Sequence, residues 1–271
     1  KVIPTSWSYA IQIMGGNNTA DSNIINGAYR GISSNNKPDN KAINNTIFVH
    51  GKNYANNATT GGDYGIAFSG GAIIVNNTIT GMFEGAGISA GDDSLIENNF
   101  VNASKGYGVM ASGDNIKIKN NEIYNTERSV IFPEGKFSGI VVDNNILVSN
   151  SGIGVYLVKS SRTKYPSNIT IINNKITTSN EYIINALDAD KDSYVIENNQ
   201  GTGMILTPNG EIDPTVPDFV FNGTTHYINP DNYHAFIDSD GNLMSDVVYD
   251  GDILYFNGTF SDKEILLSKS V

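Results

Sequence analysis

Seven Asn-Asn pairs, at 44-45, 76-77, 98-99, 120-121, 144-145, 173-174 and 198-199, stand in nearly the same setting, with alternating apolar residues around them. The clearest copies are Ile116-Lys-Ile-Lys-Asn-Asn-Glu-Ile123 and Ile169-Thr-Ile-Ile-Asn-Asn-Lys-Ile176. Apolar residues at a period of two describe a strand with one buried face. The phase of that alternation breaks at each pair: Ile116 and Ile118 share one parity, Asn121 and Ile123 the other. A chain that changes parity must bend there, with one Asn in the left-handed region that Asn tolerates and the other pointing inward. The second Asn keeps parity with the following Ile, so Asn45, Asn77, Asn99, Asn121, Asn145, Asn174 and Asn199 are expected inside.

The spacing of the pairs sets the architecture. Successive first residues lie 22, 22 and 24 apart between Asn76 and Asn144, and the longer steps carry polar, turn-like insertions at 52–63 and 159–167. An earlier strand recurs in each unit, as in Tyr64-Gly-Ile-Ala-Phe68, Gly87-Ile-Ser-Ala90, Tyr107-Gly-Val-Met-Ala111 and Gly154-Val-Tyr-Leu157. Three short strands per turn of about 22 residues, with Gly or Asn at the corners, predict an all-β fold: a right-handed, single-stranded parallel β-helix. Inward amides stacked at a strand spacing of about 4.8 Å hydrogen-bond from rung to rung and form an Asn ladder. The solenoid is expected over residues 1–205, its first 43 residues forming degenerate turns without the Asn pair in its recurring setting. A Pro-marked connector follows at 206–226, then a small β segment at 227–271 that caps the stack or begins another repeat block.

Composition excludes several function classes. Seventeen Lys and Arg against 28 Asp and Glu, a formal charge of -11, argue against a phosphate-backbone partner. No apolar run is long enough to insert into a membrane. The absence of Cys removes disulfides, thiolate chemistry and Cys-bound metals. A first residue of Lys1 rather than Met reads as a mature segment or a piece of a longer protein. Sequons at Asn17, Asn44, Asn57, Asn76, Asn102, Asn168, Asn222 and Asn257 suit export through a glycosylating pathway, so an extracellular setting is expected.

Residues 64–201, on these repeats, resemble the pectate-lyase-like parallel β-helix repeat, which implies the fold and leaves the activity open. The carboxy-terminal run Asn232-Tyr-His-Ala-Phe-Ile-Asp-Ser-Asp-Gly-Asn-Leu243, with Gly251-Asp-Ile-Leu-Tyr-Phe-Asn-Gly-Thr-Phe260, is similar to segments that open repeat blocks in adhesin-like surface proteins of methanogenic archaea. That likeness implies an exported, modular surface protein.

Chemistry on such a fold requires charged groups converging on one face. Gly91-Asp-Asp-Ser94 resembles the paired-Asp element of polygalacturonase-type hydrolases, making Asp92 and Asp93 the candidate catalytic pair; the Asn-Thr-Asp, Gly-His-Gly and Arg-Ile-Lys elements of that pattern are missing. Asp92 and Asp93 also read as solvated corner residues. Arg128 with Glu127 and Glu134 reads as a surface ion pair, and Glu97, Lys119 and Asp143, on successive rungs, as lateral charge pairing. His50, His226 and His234 are too scattered to be a ligand set. Asp238-Ser-Asp-Gly-Asn242 lacks the spacing of a calcium loop and reads as a hairpin turn, and the acidic Asp188-Ala-Asp-Lys-Asp192 likewise as a turn. No metal and no cofactor is expected.

Aromatic residues are the remaining lead. Tyr54, Tyr64, Phe83, Tyr156 and Tyr165 fall on strands or insertions and are candidate glycan contacts, since sugars stack on rings flanked by Asn and Asp. The expectation is a non-enzymatic cell-surface module, a β-helical stalk presenting loops to glycans or to surface proteins of other cells. A polysaccharide lyase or glycoside hydrolase using Asp92 and Asp93 is the rival reading, and a structural envelope or spike component a third.

Overall fold

A computed structural model describes residues 9–34, 37–49, 64–133, 137–157, 165–214, 225–238, 242–244, 247–248 and 253–256. Two compact units divide the chain, residues 1–216 and 217–271.

The larger unit is a three-sided parallel solenoid. Its first sheet runs from Tyr9–Ile13 through Arg30–Ser34, Tyr64–Ala67, Ala86–Gly91, Tyr107–Ser112, Ile131–Pro133, Val155–Tyr156 and Tyr182–Asn185 to Met204–Thr207. The second stacks eight strands, from Thr19–Asp21 to Tyr194–Glu197, and the third eight more, from Ile24–Ala28 to Gln200–Gly201. Within a rung the chain visits the first, second and third sheets in turn, as in Ala86–Gly91, Leu95–Glu97 and Phe100–Ser104, and each strand pairs in parallel with its counterpart one rung away.

Strand register explains the core. In the second sheet Ala20, Ala42, Ile74, Ile96, Ile118, Val142, Ile171 and Ile196 lie directly over one another. In the third, Ile25, Ile47, Ile79, Val101, Ile123, Leu147 and Ile176 do the same. All are buried. Each fully buried aliphatic stabilises the fold by roughly 1.5–3 kcal/mol, and a shift of one residue would turn a strand's whole set outward. Between the first and third sheets, space is set by small residues. A Cβ on Gly108 would lie 2.3 Å from Ile123 Cγ2 and 2.6 Å from the Val130 carbonyl oxygen.

Both bends before the third sheet use left-handed backbone. The first Asn of every pair has φ between 53° and 58°, and the second is buried. The inward residues form the predicted ladder: Asn45 Nδ2 donates to Asn77 Oδ1 at 2.9 Å, Asn77 to Asn99 at 2.9 Å, Asn99 to Asn121 at 3.0 Å, and the series continues to Asn199. Each Oδ1 also accepts the backbone N–H of the preceding ladder residue, at 2.9–3.1 Å. The ladder reaches one rung further than the pairs announce. Ser22 takes the corner with φ 55°, and Asn23 Nδ2 donates to Asn45 Oδ1 at 2.8 Å. The amino-terminal rungs are therefore regular where a degenerate turn without a ladder residue was expected.

The other bend, between the first and second sheets, places Asn17, Asp39, Gly71, Asp93, Asn115, Gly139 and Asn168 in the left-handed region, one on each of the first seven rungs. Asn, Asp and Gly are the residues that accept this conformation at least cost.

Two expected boundaries move. Met204–Thr207 continues the first sheet, and Gly210–Ile212 folds back on it antiparallel, so residues 206–212 belong to the stack and not to a connector. The physical cause is a tight turn: Gly210 has φ 123°, and Thr207 Oγ1 donates to the Gly210 carbonyl at 2.8 Å. In the smaller unit Thr225–Ile228, partly within the expected connector, pairs in parallel with Ile253–Phe256. Within the expected β segment, Tyr233–Ala235 forms a 3-10 turn, and Ile237 bridges Leu243 antiparallel. The end of that segment, residues 257–271, lies outside the described residues.

Candidate functional site

Asp92 and Asp93 are both exposed, at the bend between the first and second sheets. Asp92 Oδ1 accepts the backbone N–H of Asp114 at 2.7 Å, and Asp114 Oδ1 accepts that of Ser138 at 2.7 Å. Asp93 Oδ1 accepts from Asn115 Nδ2 at 3.0 Å. These carboxylates thus join successive rungs at the corner. Among the described residues no group of three or more His, Asp or Glu side chains is arranged to hold a metal ion.

The other charged candidates fall into local pairs. Lys119 Nζ meets Asp143 Oδ2 at 3.4 Å, and Glu97 Oε1 accepts from Asn120 Nδ2 at 3.3 Å. Arg128 lies over the ring of Tyr107, 5.3 Å from its centroid, while Glu134 is outside the described residues. His226 packs against Phe236 and His234 against Tyr233; His50 is outside the described residues. Asp238 Oδ1 accepts the Asn242 N–H at 2.9 Å, a turn contact, and Asp190 Oδ1 accepts that of Asp192 at 3.3 Å in the same way.

The aromatic candidates divide. Phe83 is fully buried and belongs to the core, so it cannot contact a glycan. It follows the strand Thr78–Met82, where the chain leaves regular alternation and parity no longer predicts direction. Tyr64 and Tyr156 are half-buried on the first sheet, Tyr165 is 55% exposed, and Tyr54 lies outside the described residues. Tyr64 and Tyr107 register on either side of Ala86, which they flank on adjacent rungs.

The third sheet carries rings that the sequence reading passed over. Phe100 is 37% exposed, and its ring centroid lies 5.6 Å from that of Tyr124, with planes tilted by 37°. The signal was available: the first and third residues after an Asn pair have outward parity, and Phe100 and Tyr124 occupy those places. The Tyr124 hydroxyl donates to Glu122 Oε2 at 3.2 Å. Burial first, then the Glu122 charge and that bond, raise the Tyr124 pKa above its ordinary value.

Of the sequons, Asn17, Asn44, Asn76 and Asn168 are exposed, each in left-handed backbone at a corner. Asn102 is half-buried on the third sheet, its Oδ1 accepting from Asn125 Nδ2 at 3.0 Å; Asn57, Asn222 and Asn257 are outside the described residues. At the amino-terminal end a recess of about 560 Å3 is lined by Ile11, Ile13, Ala20 and Asn23, early members of the core columns and the ladder.

Three parallel sheets wound around aliphatic columns and an amide ladder define a β-solenoid protein. Residues 47–200, more than half of the chain, match the family described as "Right handed beta helix region", and the chain belongs to that family. No curated protein and no solved structure matches it.

Proposed function

We propose that this chain is a non-enzymatic surface module: a stiff, extracellular β-helical body, part of a longer adhesin-like surface protein, that contacts glycans or surface proteins of other cells. The observation that carries the reading is the engagement of its carboxylates. Asp92, Asp93, Asp114, Asp143 and Glu97 each bond to a neighbouring rung, which suits side chains that hold a rod together. Catalysis on a polysaccharide would need such groups converging on substrate. The resemblance to surface proteins of methanogenic archaea points the same way. Asn17, Asn44, Asn76 and Asn168 are the acceptors best placed for glycosylation, which intact-mass measurement after expression in a glycosylating host would detect.

The test combines a glycan array with an assay of reducing-end release on the same polysaccharides. Binding without release is expected. Release that disappears in Asp93→Asn would overturn the proposal in favour of a hydrolase or lyase.

A further inference from the structure

We propose that the outer face of the third sheet is a binding surface for a neutral oligosaccharide, with Phe100 and Tyr124 as its stacking platform; this rests on the surface-module reading above.

Strand register puts Thr46, Thr78, Phe100, Glu122 and Ile146 in one outward column, and Phe48, Thr80, Asn102 and Tyr124 in the next. Thr fills the place of Phe100 on the two preceding rungs, and Thr80 and Asn102 fill the place of Tyr124 on the two rungs before it, so the fold itself asks for no ring at either position. Yet Phe100 is left more than a third exposed, in contact with Tyr124 diagonally across the rungs. Two adjoining rings on the outer side of a sheet form an apolar platform of the kind that sugar faces cover.

The surroundings select the ligand. The Asn102–Asn125 amide pair and the hydroxyls of Thr78 and Thr80 flank the rings and match the donors and acceptors of a polyhydroxylated chain. Glu122 stands directly beside the platform, bonded to Tyr124. Among the described residues of these two columns Lys175 is the only cation, two rungs beyond Glu122 and so roughly 10 Å away, about one Debye length. An acidic polysaccharide would be repelled by this carboxylate on a chain of net charge -11; a neutral one would not. By contrast, the first-sheet ring of Tyr107 is already covered by Arg128. Asn102 lies in the same face, so a sugar attached there and a sugar bound to the platform exclude each other.

The experiment uses unglycosylated full chain and a panel of neutral oligosaccharides (glucan, mannan, galactan and chitin fragments) beside acidic ones (oligogalacturonate and sulfated fragments). Phe100→Thr and Tyr124→Thr copy residues found in the same outward columns and keep the strand. Binding of at least one neutral oligosaccharide is expected, weakened about tenfold by each substitution. Equal binding by the variants would overturn this site while leaving the surface-module reading in place. Binding confined to acidic fragments would overturn it as well. No binding to any fragment would overturn it too, and adhesion of protein-coated beads to cells would then judge the module reading by itself. Should a variant fold poorly, amide NMR shifts of the native chain carry the test: changes centred on Thr78, Asn102 and Tyr124 support the site, and changes confined elsewhere refute it.

Discussion

Replacing Asn121 by Leu isolates what one ladder residue contributes. Its Oδ1 accepts the Asn99 N–H at 2.9 Å and Asn99 Nδ2 at 3.0 Å; its Nδ2 serves the carbonyls of Ile96 and Lys119 and the Oδ1 of Asn145. Most partners keep a second bond. Asn99 Nδ2 retains the carbonyls of Ile74 and Glu97, Lys119 retains the Asn98 N–H, and Asn145 Oδ1 retains the backbone N–H of residue 121. The Asn99 N–H, however, loses its acceptor inside the core, a penalty of about 1–3 kcal/mol. Leu returns some burial energy but supplies no acceptor, so a net loss of about 2 kcal/mol is expected. That corresponds to about 4–8 °C in melting temperature for a unit of this size. Hydrogen exchange gives a more local reading: the Asn99 amide should lose protection before its neighbours do. An unchanged melting temperature together with unchanged Asn99 protection would refute the account, because it would mean the amide has another acceptor.

Further expectations follow from other positions. Asn120→Ala should be less stable than Asn120→Gly by about 1 kcal/mol in denaturant unfolding, since φ there is 54° and only the first carries a Cβ. Gly108→Ala forces its Cβ against Ile123 and the Val130 carbonyl and should cost about 1–3 kcal/mol, measured by thermal melting. The raised Tyr124 pKa means that its contribution to stability is complete below the ordinary tyrosine value and is lost as pH rises through the folded value. Glu122→Gln should bring that ionisation to lower pH, visible as a 295 nm difference between Tyr124-containing and Tyr124→Phe proteins; no change would show that burial alone raises it. Lys119→Gln should cost at most about 1 kcal/mol, because the Asp143 pair is partly exposed, and the loss should vanish in concentrated salt.

The legible parts of the fold were those written in one word. Asn-Asn recurs because a single bend demands two different things of adjacent residues, left-handed backbone and an inward amide, and Asn serves both. The bend between the first and second sheets demands only left-handed backbone. Asn17, Asp39, Gly71, Asp93, Asn115, Gly139 and Asn168 meet it with three residue types, so no repeated word appears. Ser22 hid the first ladder rung for the same reason. At the candidate surface, parity was sufficient to turn Phe100 and Tyr124 outward, yet their contact joins residues on adjacent rungs, 24 apart in sequence, and emerges only from register. Phe83 failed where alternation lapses, since direction there follows from packing.

The ladder also works as a gauge that is blind to contour length. Asn45 and Asn77 are 32 residues apart, Asn77 and Asn99 are 22 apart, and the amide bond is 2.9 Å in both cases. Whatever the chain does between two contacts, it returns to the same pitch, so additions at the corners do not accumulate as error along the rod. A body built this way can be lengthened by whole turns or elaborated at one corner independently, and each change leaves the positions of all other rungs, and of anything displayed on them, where they were.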